Sequence, residues 1–212
     1  MITLLIIALA FAVIGTPVPQ AWTFRPTQLF TLRANCSDGP WNGRHLVNLP
    51  TGHRLGLENF TVHPETPGIE FIPIRLHDDD NKYALRGISV GDDLSRTPYL
   101  AALTNNATRT VSLKIVYVPT PLRESFETQT DACPEGYDCT ADQWTFDEPT
   151  PIPGNSQQAY YNLKFGGFTG VWAPFKDAGK EGWHIYWKGD AGMHHPIQFD
   201  LVPAISGGDR PL

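Results

Sequence analysis

Long apolar runs are nearly missing from these 212 residues: one occurs, at the N-terminus, and no other follows it. A bilayer-spanning helix needs about 20 apolar residues in succession, so no further span is expected after the first segment. The C-terminal stretch from Ala204 to Leu212 has no hydrophobic tail of the kind that directs a lipid anchor. Cysteine is scarce. Cys36, Cys133 and Cys139 are too few to build a disulfide scaffold, so the fold has to rest on a hydrophobic core. An excess of base is missing as well: the formal net charge is −6, and no basic patch supports nucleic-acid binding. No window of twelve residues sustains a helical apolar period, and 19 Gly and 19 Pro interrupt the chain, which excludes long helices.

Signatures of common chemistry are also wanting. There is no Gly-X-Ser-X-Gly nucleophile elbow. Neither Cys-X-X-Cys nor His-X-His spacing occurs. His194-His195, with Asp190 before it and His184 one hairpin away, has suitable ligand atoms for zinc or copper, but neighbouring residues of a strand point to opposite faces. The oxygen-rich stretches His77-Asp78-Asp79-Asp80-Asn81 and Gly91-Asp92-Asp93 read as turns, without the ligand order of a calcium loop. No metal and no cofactor are expected.

The one apolar run is informative in itself. Residues 1–21 carry no charged side chain, Leu4 to Ile14 is short for a span, and Gly15, Thr16, Pro17, Pro19 and Ala21 follow directly. That order predicts a secretory signal peptide cleaved after Gly15 or after Ala21, and hence an extracellular or cell-wall product without a membrane partner. Export agrees with three Asn-X-Ser/Thr sequons, at Asn35, Asn59 and Asn106, which are predicted glycosylation sites. It also permits a disulfide, for which Cys133 and Cys139 are the first choice across Pro134-Glu135-Gly136-Tyr137-Asp138. The other possibility joins Cys36 to one of the two.

The mature chain, roughly 190 residues, is long enough for a real core. It is expected as one domain over 22–205, with a flexible tail over 206–212. Residues 119–158 hold eight acids against Arg123, and with six prolines they read as a long, exposed, acidic excursion containing a short strand at Trp144-Thr145-Phe146. Elsewhere short segments rich in β-branched and aromatic residues predict strands at 28–34, 44–48, 69–76, 83–90, 110–118, 158–165, 183–188 and 197–202. Val111, Leu113, Ile115 and Tyr117 give the cleanest alternation. The expectation is an all-β domain, an antiparallel β-sandwich of two packed sheets or, alternatively, a closed β-barrel.

Aromatics concentrate near the C-terminus. In Trp183-His184-Ile185-Tyr186-Trp187-Lys188 the face with the two tryptophans suits a core, which leaves His184, Tyr186 and Lys188 as a polar-aromatic outer face. Together with Trp172, such a face could stack against a sugar ring while its polar groups bond hydroxyls. The overall layout resembles the small secreted β-rich proteins of filamentous fungi: a short signal, a Leu-Phe-Thr-Leu-Arg-Ala strand at 29–34, an Asn42-Gly43 turn, and a terminal strand Gln198-Phe199-Asp200-Leu201-Val202. The resemblance implies secretion and no particular catalytic residue. The leading expectation is a non-catalytic binding protein for cell-wall or host-surface polysaccharide. The alternatives are a secreted hydrolase, or an effector or inhibitor that binds an extracellular protein through the acidic segment.

Overall fold

A computed structural model describes Phe24 and most of residues 28–204. Residues 1–23, 25–27, 38, 50–54, 60–65, 77–80, 89–95, 119–132, 168–169, 177–181, 189–194 and 205–212 lie outside the description, as do the side chains of 155–157 and 188. The predicted signal segment, the C-terminal tail and most of the acid-rich turns fall there.

The described residues form fourteen strands and no helix, so none of them makes a helix that could cross a membrane. The first seven are β1 (Phe30–Asn35), β2 (Leu46–Asn48), β3 (Leu55–Glu58), β4 (Glu70–Arg75), β5 (Tyr83–Gly87), β6 (Thr97–Asn105) and β7 (Val111–Val118). The next four are β8 (Tyr137–Thr140), β9 (Trp144–Phe146), β10 (Thr150–Ile152) and β11 (Asn155–Phe165). The last three are β12 (Val171–Phe175), β13 (Gly182–Lys188) and β14 (Gln198–Pro203).

All strand pairings are antiparallel, and six strands close a ring in the order β11, β14, β1, β4, β5, β9 and back to β11. Closure is the work of β9. Its Trp144 pairs with Tyr83 of β5 on one side and with Phe165 of β11 on the other. Of the two expected architectures, the wall therefore realises the barrel, with the remaining strands added outside the ring. A sheet that closes has no free edge within the ring, which removes the unpaired backbone groups an open sheet exposes.

Alternation explains the wall. Phe30, Leu32 and Ala34 of β1 point inward and are almost wholly buried, whereas Thr31, Arg33 and Asn35 point outward. Phe199 and Leu201 of β14 join them, with Leu163 and Phe165 of β11, Phe71 of β4, and Tyr83 and Leu85 of β5. Each large apolar side chain buried this way contributes about 1.5–3 kcal/mol. Trp144 lies at the centre, fully buried, and donates from Nε1 to the Leu100 carbonyl at 3.2 Å.

A second core lies behind β6. Tyr99, Ala101 and Leu103 of that strand meet Val116 and Val118 of β7, and β8 closes over them with Cys139. Cys133 and Cys139 are joined in a disulfide with Cα atoms 5.7 Å apart, so the first-choice pairing holds.

The acidic 119–158 segment contains the expected strand at Trp144–Phe146. From Cys133 onward it is not simply an exposed excursion, because β8, β9, β10 and the start of β11 all belong to it. Its apolar residues explain this: Ala141, Trp144 and Phe146 are buried, while Glu135, Asp138, Asp147 and Glu148 face outward and Asp142 alone of its described acids is buried.

Candidate functional site

The outward residues of the barrel wall make a groove. Cross-strand register places Glu70 beside Thr31, and Thr31 beside Val202. The pairing of Tyr161 with Leu201 sets Tyr160 beside Val202 in turn. One row, Glu70–Thr31–Val202–Tyr160, thus crosses four strands, about 14 Å at three inter-strand spacings of about 4.8 Å. A second row runs next to it. His45 pairs with Arg33 in an isolated bridge, Arg33 with Asp200, and Asp200 with Asn162.

The loop before β4 and the β10–β11 turn rise on either side. Thr66, Pro67 and Gly68 form one bank, and Ile152 and Pro153 the other, around a volume of about 550 Å³. Gly68 allows this close approach, since a Cβ there would stand 2.8 Å from the His45 Cβ. The lining is largely apolar with a few convergent polar groups, the usual make-up of a small-molecule site.

The polar floor is built on one buried carboxylate. Asp200 is only 2% exposed. Its Oδ2 accepts from Asn35 Nδ2 at 3.0 Å and lies 3.7 Å from Arg33 Nη2, and its Oδ1 accepts from Asn162 Nδ2 at 3.4 Å. Buried charge survives only when paired and hydrogen-bonded, and two neighbouring strands, β1 and β11, supply the three partners here. The Arg33 guanidinium is anchored from below and stays 39% exposed, 5.8 Å from the centre of the Tyr160 ring. Tyr160 is itself half-buried, so its ring presents a flat apolar surface beside a cation.

Two further groups in the groove are uncommitted. Glu70 has no ion-pair or side-chain hydrogen-bond partner among the described residues. His45 Nδ1 is buried and makes no hydrogen bond. Burial, reinforced by the Arg33 charge, holds the His45 imidazole below its ordinary value of 6.5, so at neutral pH it is uncharged. The groove can therefore offer a donor fork at Arg33, an acceptor pair at Glu70, an aromatic face at Tyr160 and the exposed amide of Gln158.

The residues expected to form a binding face lie elsewhere and are less open than alternation implies. His184 and Tyr186 do occupy the face opposite Ile185, yet they are 6% and 7% exposed. Phe175 of β12 lies beside them, paired with His184 and in edge contact with Tyr186, and it is Phe175 that is exposed. Both faces of β13 are covered, Ile185 by the main core and Tyr186 by Phe175, which period-two reasoning on one segment does not anticipate. The backbone of Lys188 pairs with Val171. Trp172 is buried in the main core, 4.7 Å from Trp187 and 6.3 Å from Trp144 between ring centres. Its edge borders a second hollow of about 290 Å³ between β11 and β12.

The sequons differ in setting. Asn106 stands exposed in the β6–β7 turn, Asn59 is half-buried just after β3, and the Asn35 amide is engaged by Asp200. His195 packs near Trp41, and no cluster of three metal-ligating side chains occurs among the described residues. Sequence reasoning missed Arg33, His45, Glu70 and Tyr160. Their only local signal is the outward register of Arg33 on β1, Glu70 on β4 and Tyr160 on β11, and no single segment contains two of the four. No protein-family model matches this chain, and neither a curated protein nor a solved structure is detectably similar to it.

Proposed function

We propose that this chain is a secreted, non-catalytic glycoprotein that binds carbohydrate of a cell wall or host surface in the groove over β4, β1, β14 and β11. The observation that carries the reading is the coincidence, in one groove, of the Tyr160 ring, the anchored Arg33 guanidinium and the uncommitted Glu70 carboxylate. Sugars present alternating apolar faces and hydroxyl edges, and an aromatic ring flanked by a fixed donor and a fixed acceptor complements both. Among the described lining residues Glu70 is the one carboxylate, the Asp200 carboxylate beneath the floor being engaged by Asn35, Asn162 and Arg33, whereas glycoside hydrolysis ordinarily uses two. That favours binding over cleavage. The exposed Asn106 sequon supports the glycoprotein part of the reading.

Pull-down on a panel of insoluble polysaccharides tests the proposal. The parent protein is expected to be retained on at least one, and Tyr160→Ala and Glu70→Gln to bind it about tenfold more weakly, a change of roughly 1.4 kcal/mol each. Failure of the parent to bind any polysaccharide sinks it. Retention unaffected by either substitution moves the site away from this groove.

A further inference from the structure

The outward face of β11 and β14 does not stop at the groove. Beyond Tyr160 and Arg33 the same face continues through Asn162, Lys164 and Gln198 to the hollow between β11 and β12. Trp187 and Trp172 form its aromatic side, with ring centres 4.7 Å apart, and Phe165 packs 5.8 Å from Trp187. Trp187 is only partly buried, so part of the ring surface faces the hollow.

The strip joining the two concavities is polar and ordered. Asn162 Nδ2 donates to Gln198 Oε1 at 3.1 Å and to Asp200 Oδ1 at 3.4 Å. Those bonds fix both amides in orientation and leave Asn162 Oδ1 and Gln198 Nε2 without a partner among the described residues. Lys164, held at 2.7 Å by Asp147, stands at the far end. From Tyr160 to Lys164 is four residues of extended strand, about 14 Å at about 3.4 Å each. Aromatic surface thus occurs at both ends of a track of fixed hydrogen-bonding groups.

We infer that the hollow beside Trp187 is a second saccharide subsite, continuous with the first along β11 and β14, and that the ligand is therefore a polysaccharide chain and not a single sugar. The inference rests on the carbohydrate reading above and specifies its ligand. A chain bound across both ends gains the second contact intramolecularly, so affinity rises steeply with length until both subsites are filled.

Calorimetric titration with cellulose, laminarin and chitin oligosaccharides of graded length provides the test. For the polymer that retains the protein, long oligomers are expected to bind at least about tenfold more tightly than the shortest that binds. Trp187→Ala and Gln198→Ala should each flatten that gain while leaving the affinity for the shortest ligand unchanged. Gln198 is exposed, so its variant tests the subsite even if Trp187→Ala loosens the aromatic core. Affinity independent of length, or a length gain untouched by Gln198→Ala and by a folded Trp187→Ala, overturns the second subsite and leaves the groove standing. No binding of any oligomer by the parent overturns both.

Discussion

At the scale of single residues, Asp200 is the side chain on which most of the groove depends. Its carboxylate is buried under three donors from two other strands, so truncation strips Asn35 and Arg33 of their shared acceptor and leaves Asn162 only its bond to Gln198. Asp200→Ala is expected to cost about 2 kcal/mol, read as a fall in the urea midpoint. Arg33→Ala should cost less than about 1 kcal/mol, because the guanidinium is partly solvated and screened. His45 carries a pH signature of definite sign. Its folded-state pKa lies below 6.5 through burial and the nearby Arg33, so the unfolded chain binds the proton more readily. Stability should consequently fall as pH drops below about 6.5, and His45→Gln should remove that part of the slope when the urea midpoints of the two proteins are compared across pH. A steeper slope in the variant would contradict the assignment. Among the sequons, Asn106 stands exposed in the β6–β7 turn, so Asn106→Gln is expected to lower the glycosylated mass of secreted material, against an unchanged mass if the site is unused. Intact-mass spectrometry decides between them.

At the scale of elements, a strand was legible wherever one face met the core and the other met solvent. β1 alternates inward Phe30, Leu32 and Ala34 with outward Thr31, Arg33 and Asn35. β14 alternates Phe199 and Leu201 with polar Gln198 and Asp200 in sequence, although Asp200 is buried too, and so both were expected close to where they lie. β6 was not expected. Its Tyr99 to Leu103 run is buried on both faces between two cores, so period-two alternation vanishes, and Pro98 further disguises it. β7 shows the same effect from the other side. Val111 and Leu113 serve the barrel core and Val116 and Val118 the second one, which turns Tyr117 out to 55% exposure although alternation groups it with the buried residues. β12 contains Pro174 and β3 contains Gly56, residues that argue against a strand in isolation. In β3 the glycine is required by its neighbour: a Cβ at Gly56 would run into the Trp183 carbonyl and the Leu49 side chain. Gly182 opposite Glu58 has φ +150° and would collide with the Leu57 backbone if substituted. Gly56→Ala and Gly182→Ala are each expected to destabilise by about 2 kcal/mol through this single interface, measurable as a lowered urea midpoint. Wild-type stability in both would mean that β3 does not pack on β13 as described.

At the scale of the whole molecule, the groove was illegible for a reason of topology. Arg33, His45, Glu70 and Tyr160 come from four segments and share a surface only once β4, β1, β14 and β11 have paired side by side. Closure itself hangs on a three-residue strand inside an acidic, proline-rich stretch, and Trp144 is what holds that strand. The ring is fully buried, packs 4.8 Å from Phe165, and its Nε1 bonds the Leu100 carbonyl of β6, so one side chain ties β5, β6, β9 and β11 together. Trp144→Ala should cost about 4 kcal/mol, from lost burial and the cavity left behind. Against a total stability of about 5–15 kcal/mol, that brings the domain close to unfolding. Trp144→Phe keeps most of the apolar volume and forfeits the hydrogen bond, leaving the Leu100 carbonyl buried and unpaired, at about 1–3 kcal/mol. The two variants separate packing from connection. If β9 closes the barrel, Trp144→Phe remains folded and its groove still binds, whereas Trp144→Ala loses near-UV circular dichroism and polysaccharide retention in the same denaturant range. Retention persisting in Trp144→Ala after its aromatic signal has gone would show that β11 and β14 hold the groove without the closed ring, and the barrel would then be a consequence of the site's architecture and not its cause.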